Sequence, residues 1–159
     1  MRKRLVVPAP AATPGGDADA EWLNLEKLCE VELTSEDPVH PIDSALLPGR
    51  DAGWRAAAPG EQTIRLIFDA PQRIARIRLV FREEELERAQ EFVLRVSAEA
   101  GRPPREIVRQ QWNFSPAGAT CEIEDYRLEL PSVALLELTV DPDRGAGRAR
   151  ASLAELRVA

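Results

Sequence analysis

The sequence predicts an all-β domain, two packed layers made from about eight short strands. Three observations carry this expectation. After Trp22, apolar and polar residues alternate with a period of two along most of the chain, the pattern of strands with one face in a core and the other in water. Proline- and glycine-bearing turns separate the alternating runs. Only residues 82–90 have a helical composition.

In chain order, residues 8–20 contain nothing large and apolar. Such a segment cannot offset the entropy of its own ordering, so residues 1–21 are expected to be a flexible arm and residues 22–159 a single domain. Cys29, Val31 and Leu33 share one face of a first strand, with Glu30, Glu32 and Thr34 on the other. Ile64, Leu66 and Phe68 form the inward set of a second strand, and Ile77, Leu79 and Phe81 that of a third, with Asp69-Ala70-Pro71-Gln72 as the turn between them. Residues 82–90 offer only Leu86 and Ala89 to bury, which predicts a turn or two of surface helix. Phe92, Leu94 and Val96 alternate next, and Gly101-Arg102-Pro103-Pro104 breaks the chain. Val108, Gln110, Trp112 and Phe114 then alternate again. Cys121 and Ile123 differ in parity from Tyr126, Leu128 and Leu130, which predicts a β-bulge near Glu124-Asp125. Leu136, Leu138 and Val140 form a further inward set, and Leu156 with Val158 closes the chain.

Composition narrows the functional classes. With 159 residues, 44% hydrophobic and 30% charged, the chain has material for one core. Charges interrupt every apolar run well short of the ~18 residues a membrane helix needs, so no membrane role is expected. The net charge of −6 and the dispersed basic residues leave no platform for nucleic acid. Met1-Arg2-Lys3-Arg4 has the charge of a signal peptide, but Pro8 and Pro10 cut its apolar stretch below the roughly 7 residues required. Cys29 and Cys121 allow at most one disulfide. A cytoplasmic protein with reduced thiols is the expectation.

The order of these pieces resembles the discoidin, or coagulation factor type C, group of the galactose-binding-like superfamily. The carriers are Val31-Glu32-Leu33-Thr34-Ser35-Glu36 and a loop from His40 that ends in Gly53-Trp54-Arg55. The strand Gln62-Thr63-Ile64-Arg65-Leu66-Ile67-Phe68-Asp69 follows with its partner, and then the closing segment Ala151-Ser152-Leu153-Ala154-Glu155-Leu156-Arg157-Val158. The resemblance implies a jelly-roll β-sandwich with recognition loops at one end. It also implies that Trp54 plugs that end, although an aromatic ring there could instead stack on a sugar. Leu47-Pro48-Gly49 lacks the acidic residue this family places before the glycine, so no cofactor is expected and structural calcium is doubtful.

The candidate ligand-binding residues are Glu36, Asp37, His40, Asp43, Arg50, Asp51, Trp54, Arg55, Gln111 and Asn113. Arginine and carboxylate groups beside an aromatic suit sugar hydroxyls or a carboxylate. His40 is the only histidine, and no second imidazole or cysteine pair completes a tetrahedral metal set. There is no nucleophile elbow, phosphate-cradling glycine loop or His-Glu-x-x-His helix. These absences predict a non-catalytic module, monomeric or weakly self-associating, and the resemblance implies carbohydrate as its ligand. The alternative is an intracellular protein-interaction or self-association domain of the same fold. For that role the outward set Arg65, Ile67, Arg76, Arg78, Val80, Val93 and Arg95 mixes apolar groups with arginine as interfaces do.

Overall fold

The computed structural model describes residues 22–50, 52–144 and 147–159. The expected flexible arm, residues 1–21, lies outside them. Eight strands occur among the described residues: β1 (Cys29–Leu33), β2 (Trp54–Pro59), β3 (Gln62–Arg82), β4 (Arg88–Ser97), β5 (Arg105–Phe114), β6 (Cys121–Asp141), β7 (Arg150–Leu153) and β8 (Glu155–Val158). Two single-turn helices accompany them, α1 (Leu25–Leu28) and α2 (Asp43–Leu46).

The architecture turns on β3 and β6, each 21 residues long and antiparallel to the other. The start of β3 and the end of β6 join β1, β4 and β5 in the order β1-β3-β6-β4-β5. The far half of β3 pairs with β8 on one side, Ile77↔Val158 to Val80↔Glu155, and with the first half of β6 on the other. A single hydrogen-bonded sheet thus folds over on itself into two layers. Ile64, Leu66, Ile77, Leu79, Phe81, Phe92, Leu94, Leu136 and Leu138 fill the space between them as one buried cluster. Phe81 and Phe92 meet across it with ring centroids 5.2 Å apart.

The turn expected at residues 69–72 is absent, because β3 runs straight through it. The register against β6 slips there instead, between Ile67 and Gln72 and again before Arg76. Pro71 is exposed within this unpaired stretch, and Pro131 is exposed opposite it on β6. Neither proline lies where a ladder needs its missing N–H. The fold line therefore falls where both strands carry the residue that cannot pair.

The expected helix at residues 82–90 is also absent. After β3 the chain makes one turn in which the Glu83 carboxylate accepts from the amides of Glu85 and Leu86 at 3.0 and 3.1 Å. It then enters β4 at Arg88. Arg88 is 3% exposed and Gln90 1%, so inward burial on a strand overrides local helix preference.

Nor does β6 bulge at Glu124-Asp125. Its ladder with β3 is unbroken from Arg76↔Arg127 to Arg82↔Cys121. Ile123 consequently faces outward, 54% exposed, while Glu122 faces the interior with no exposure. The expectation failed because it required a carboxylate to face water, and here interior polar groups receive it. In the outward set, Val80 and Val93 are buried. Each sits on a strand flanked on both sides, Val93 between Thr139 and Arg109 and Val80 between Ile123 and Glu155. Both thiols are free and half-buried.

Candidate functional site

One end of the sandwich is closed by the β2–β7 ribbon, which pairs Trp54 with Leu153 and Arg55 with Ser152. Trp54 is 1% exposed and its indole N–H donates to the Ser35 carbonyl at 3.0 Å. It is the plug of this end and presents no ring face to solvent, which rules it out as a stacking platform. The preceding Gly53 has φ of 72°, and a Cβ there would stand 2.9 Å from the Leu153 carbonyl oxygen.

Above the plug, a tight turn at Asp37-Pro38-Val39-His40 is stitched to β2 in both directions. The Asp37 amide donates to the Arg55 carbonyl at 2.8 Å, and the Arg55 amide to the His40 carbonyl at 3.1 Å. This stitching brings three of the sequence-derived candidates, Asp37, His40 and Arg55, into one place. Asp37 is held below the usual carboxylate range, first by the hydrogen bond from the Val39 amide and then by the charges of His40 and Arg150. Its carboxylate lies 3.7 Å from His40 Nδ1, which is buried and has no hydrogen-bond partner.

Between this turn, the 82–85 turn and residues 152–154 lies a cleft of about 230 Å³. His40, Arg55, Arg82, Glu84 and Glu85 line it, with Gly53 and Trp54 forming its floor. Glu83 also lines it. Burial alone would raise its carboxyl, yet the Arg88 guanidinium at 2.8 Å and the two turn amides outweigh that and hold it low.

The other candidates lie elsewhere. Glu36 is spent on fold, accepting from the Ile42 amide at 2.9 Å. Asp43, at the start of α2, and Arg50, in the loop after it, are exposed but are not among the lining residues. Gln111 donates to Glu91 on the exposed side of the β4–β5 pair. Asn113 is exposed on that pair opposite Ala89, and neither lines the cleft. Asp51 lies outside the described residues. Among the described residues, no three histidine, cysteine or acidic side chains are grouped as a metal would require, and no helix is long and apolar enough to cross a membrane.

Sequence reasoning missed a polar cluster behind the cleft. Arg88 Nη1 donates to Gln90 Oε1 at 3.0 Å and to the Pro142 carbonyl at 2.7 Å. Gln90 Nε2 donates onward to Glu122 Oε1 at 3.2 Å. The Arg88 guanidinium also stacks 4.6 Å above the Phe114 ring. Arg88 Nη2 and Glu122 Oε2 of this cluster are buried without a partner, as is Nε1 of Trp112, which pairs with Gln90 from β5. The legible signal was position, since residues 88, 90 and 122 fall on the inward parity of their strands.

Burial, reinforced by Glu124, pushes the Glu122 carboxyl up to about 8, against the smaller opposing pull of Gln90 and Arg88. An acid whose folded value is raised stabilises the fold fully below its ordinary unfolded value and loses that contribution as pH rises through the folded value. The difference in melting temperature between the native protein and Glu122→Gln is therefore expected to shift steadily in favour of the variant as pH rises toward about 8, then level off. A difference constant across that range in thermal melts would contradict it.

The sequence matches no protein-family model and no curated protein. Solved structures do match. A family 32 carbohydrate-binding module (CBM) from Clostridium perfringens NanJ, in complex with galactose, superposes with a TM-score of 0.61 at 14% identity, over 86% of this chain and 96% of that one. A second CBM32 module from C. perfringens, in complex with GalNAc-β-1,3-galactose, gives 0.60 at 19%, over 87% and 99%. A Ruminococcus gnavus GH29 fucosidase in complex with fucose gives 0.64 at 10%, and the match spans 86% of this chain but 26% of that enzyme. The chain has the jelly-roll fold of these modules, as its sequence led one to expect.

Proposed function

We propose that the chain is a non-catalytic carbohydrate-binding module that holds one sugar ring in the cleft between His40, Arg55 and the 82–85 turn. The observation that carries this reading is the convergence of an imidazole, two guanidinium groups and carboxylates in one cleft over a rigid buried floor. Sugar hydroxyls both donate and accept, so they need donors and acceptors placed together. Arg55 and Arg82 supply donors, and Glu84 and Glu85 supply acceptors. At about 230 Å³, the cleft is smaller than the roughly 300 Å³ at which sites for drug-sized ligands begin, which suits a single ring or a chain end. Structural neighbours solved with galactose or GalNAc-β-1,3-galactose support the ligand class.

Catalysis is a poor fit for the same residues. Glycoside hydrolysis asks for one carboxyl raised to act as an acid, whereas Glu83 is lowered and spent on Arg88 and its own turn.

A glycan array followed by calorimetric titration tests the reading. Arg55→Ala is expected to weaken the best ligand roughly tenfold or more, the loss of a charge-assisted hydrogen bond, with an unchanged melting temperature. An array with no bound glycan, or full affinity in Arg55→Ala, would overturn it.

A further inference from the structure

We infer that Arg88 is a positioning residue for the cleft, and that its connection to Glu122 through Gln90 makes the shape of the 83–86 wall depend on the proton of an interior carboxyl. The inference rests on the proposed function only for its effect on ligand affinity. The relay itself stands on geometry. Glu83 forms part of the cleft and is fixed from behind by Arg88 Nε at 2.8 Å. Behind Arg88, Gln90 spans to Glu122.

At one end of this relay the donor Arg88 Nη2 has no partner, and at the other Glu122 Oε2, the carboxyl oxygen that Gln90 does not serve, becomes a second acceptor once the acid ionises. A carboxylate ionises reluctantly in the interior unless it is paired, so the buried acid keeps its proton while Arg88 serves Glu83. Once ionised, it has Arg88 Nη2 as the complementary cationic donor of its own cluster. Glu83 and the ionised Glu122 then draw on one guanidinium charge, which weakens its hold on Glu83 and with it the turn whose amides Glu83 receives.

The charged and titratable groups that face Glu122 are few. β4 brings Arg88, with Glu83 beyond it. β6 itself brings Glu124 and Tyr126, and the burial and negative neighbours of Tyr126 push its hydroxyl far up. β3 sets Phe81 opposite, and β5 brings the uncharged Gln110 and Trp112. Glu124, two residues along on the same face, adds a negative neighbour that favours the protonated form of Glu122. Burial already pushes Glu122 up to about 8, which places the event where the cleft can be studied in its folded state.

The test is an amide NMR titration from about pH 6 to about pH 9.5, a range that spans the shifted acid but not ordinary carboxylates. The Glu85 and Leu86 amides and the Trp112 indole N–H are expected to inflect at the same pH as the Glu122 side-chain carbonyl carbon, and to lose that inflection in Glu122→Gln. In parallel, galactose affinity is expected to fall about fivefold or more on the alkaline side in the native protein and to stay level in the variant.

Amides that titrate alike in both proteins, or at a pH different from the Glu122 carbon, overturn the relay. The carbon comparison needs no variant and decides the matter even if Glu122→Gln fails to fold. Equal galactose affinity at every pH overturns the effect on the cleft. If neither galactose nor any arrayed glycan binds at any pH while the amides still follow Glu122, the carbohydrate reading falls and the relay stands.

Discussion

Trp54→Ala is expected to destabilise the protein by about 3–5 kcal/mol, the range for deleting a large aromatic from a packed core. Trp54 is among the largest fully buried side chains, and its removal leaves a cavity under the cleft and strands the Ser35 carbonyl it serves. Since a single domain holds only about 5–15 kcal/mol in all, the variant should unfold early in urea and bind ligand poorly for want of a floor. Trp54→Phe keeps most of the volume and loses the indole N–H, so a smaller cost of about 1–3 kcal/mol is expected. A Trp54→Ala protein with native urea midpoint and lost glycan binding would show that the ring touches ligand directly, contrary to its burial.

Gly53→Ala is expected to cost about 2–4 kcal/mol from two independent sources. The positive φ of 72° strains any residue with a Cβ, and that Cβ would press on the Leu153 carbonyl at 2.9 Å, too close for backbone to ignore. Relief requires the β2–β7 ribbon to part where it forms the cleft, so ligand affinity falls with stability. Gly49→Ala separates the two causes. Its φ is 82° with nothing within 4 Å of the new methyl, and it should cost only about 1–2 kcal/mol, the strain alone. Equal urea midpoints for the two variants would remove the steric contribution.

The strand faces of β1, β4 and β5 were readable because an alternating stretch with one wet side has a single workable orientation. Trp54 as the plug followed from the resemblance and is met in full. Three elements escaped. Pro71 reads as a turn in isolation, and only its partner Pro131, some sixty positions on, reveals that both prolines mark one bend. Residues 82–90 favour helix locally, and nothing nearby announces that Arg88 and Gln90 will be needed inside. Glu122 looked outward by its chemistry, and its real orientation depends on groups from a different strand. The site was half legible for a similar reason. Asp37, His40 and Arg55 share one loop and its end, whereas the 82–85 turn is brought to them only by tertiary folding.

That β3 and β6 each traverse both layers has a kinetic corollary. Neither layer can melt while its companion survives, because each shares its two longest strands with the other, so chemical denaturation should proceed as one all-or-none event. The same pairing joins Gln62 to Val140 and Arg82 to Cys121, contacts between distant stretches of chain. A search over such large loops precedes any reward from them, which places this domain among slow folders and makes the pairing of β3 with β6 its rate-determining step.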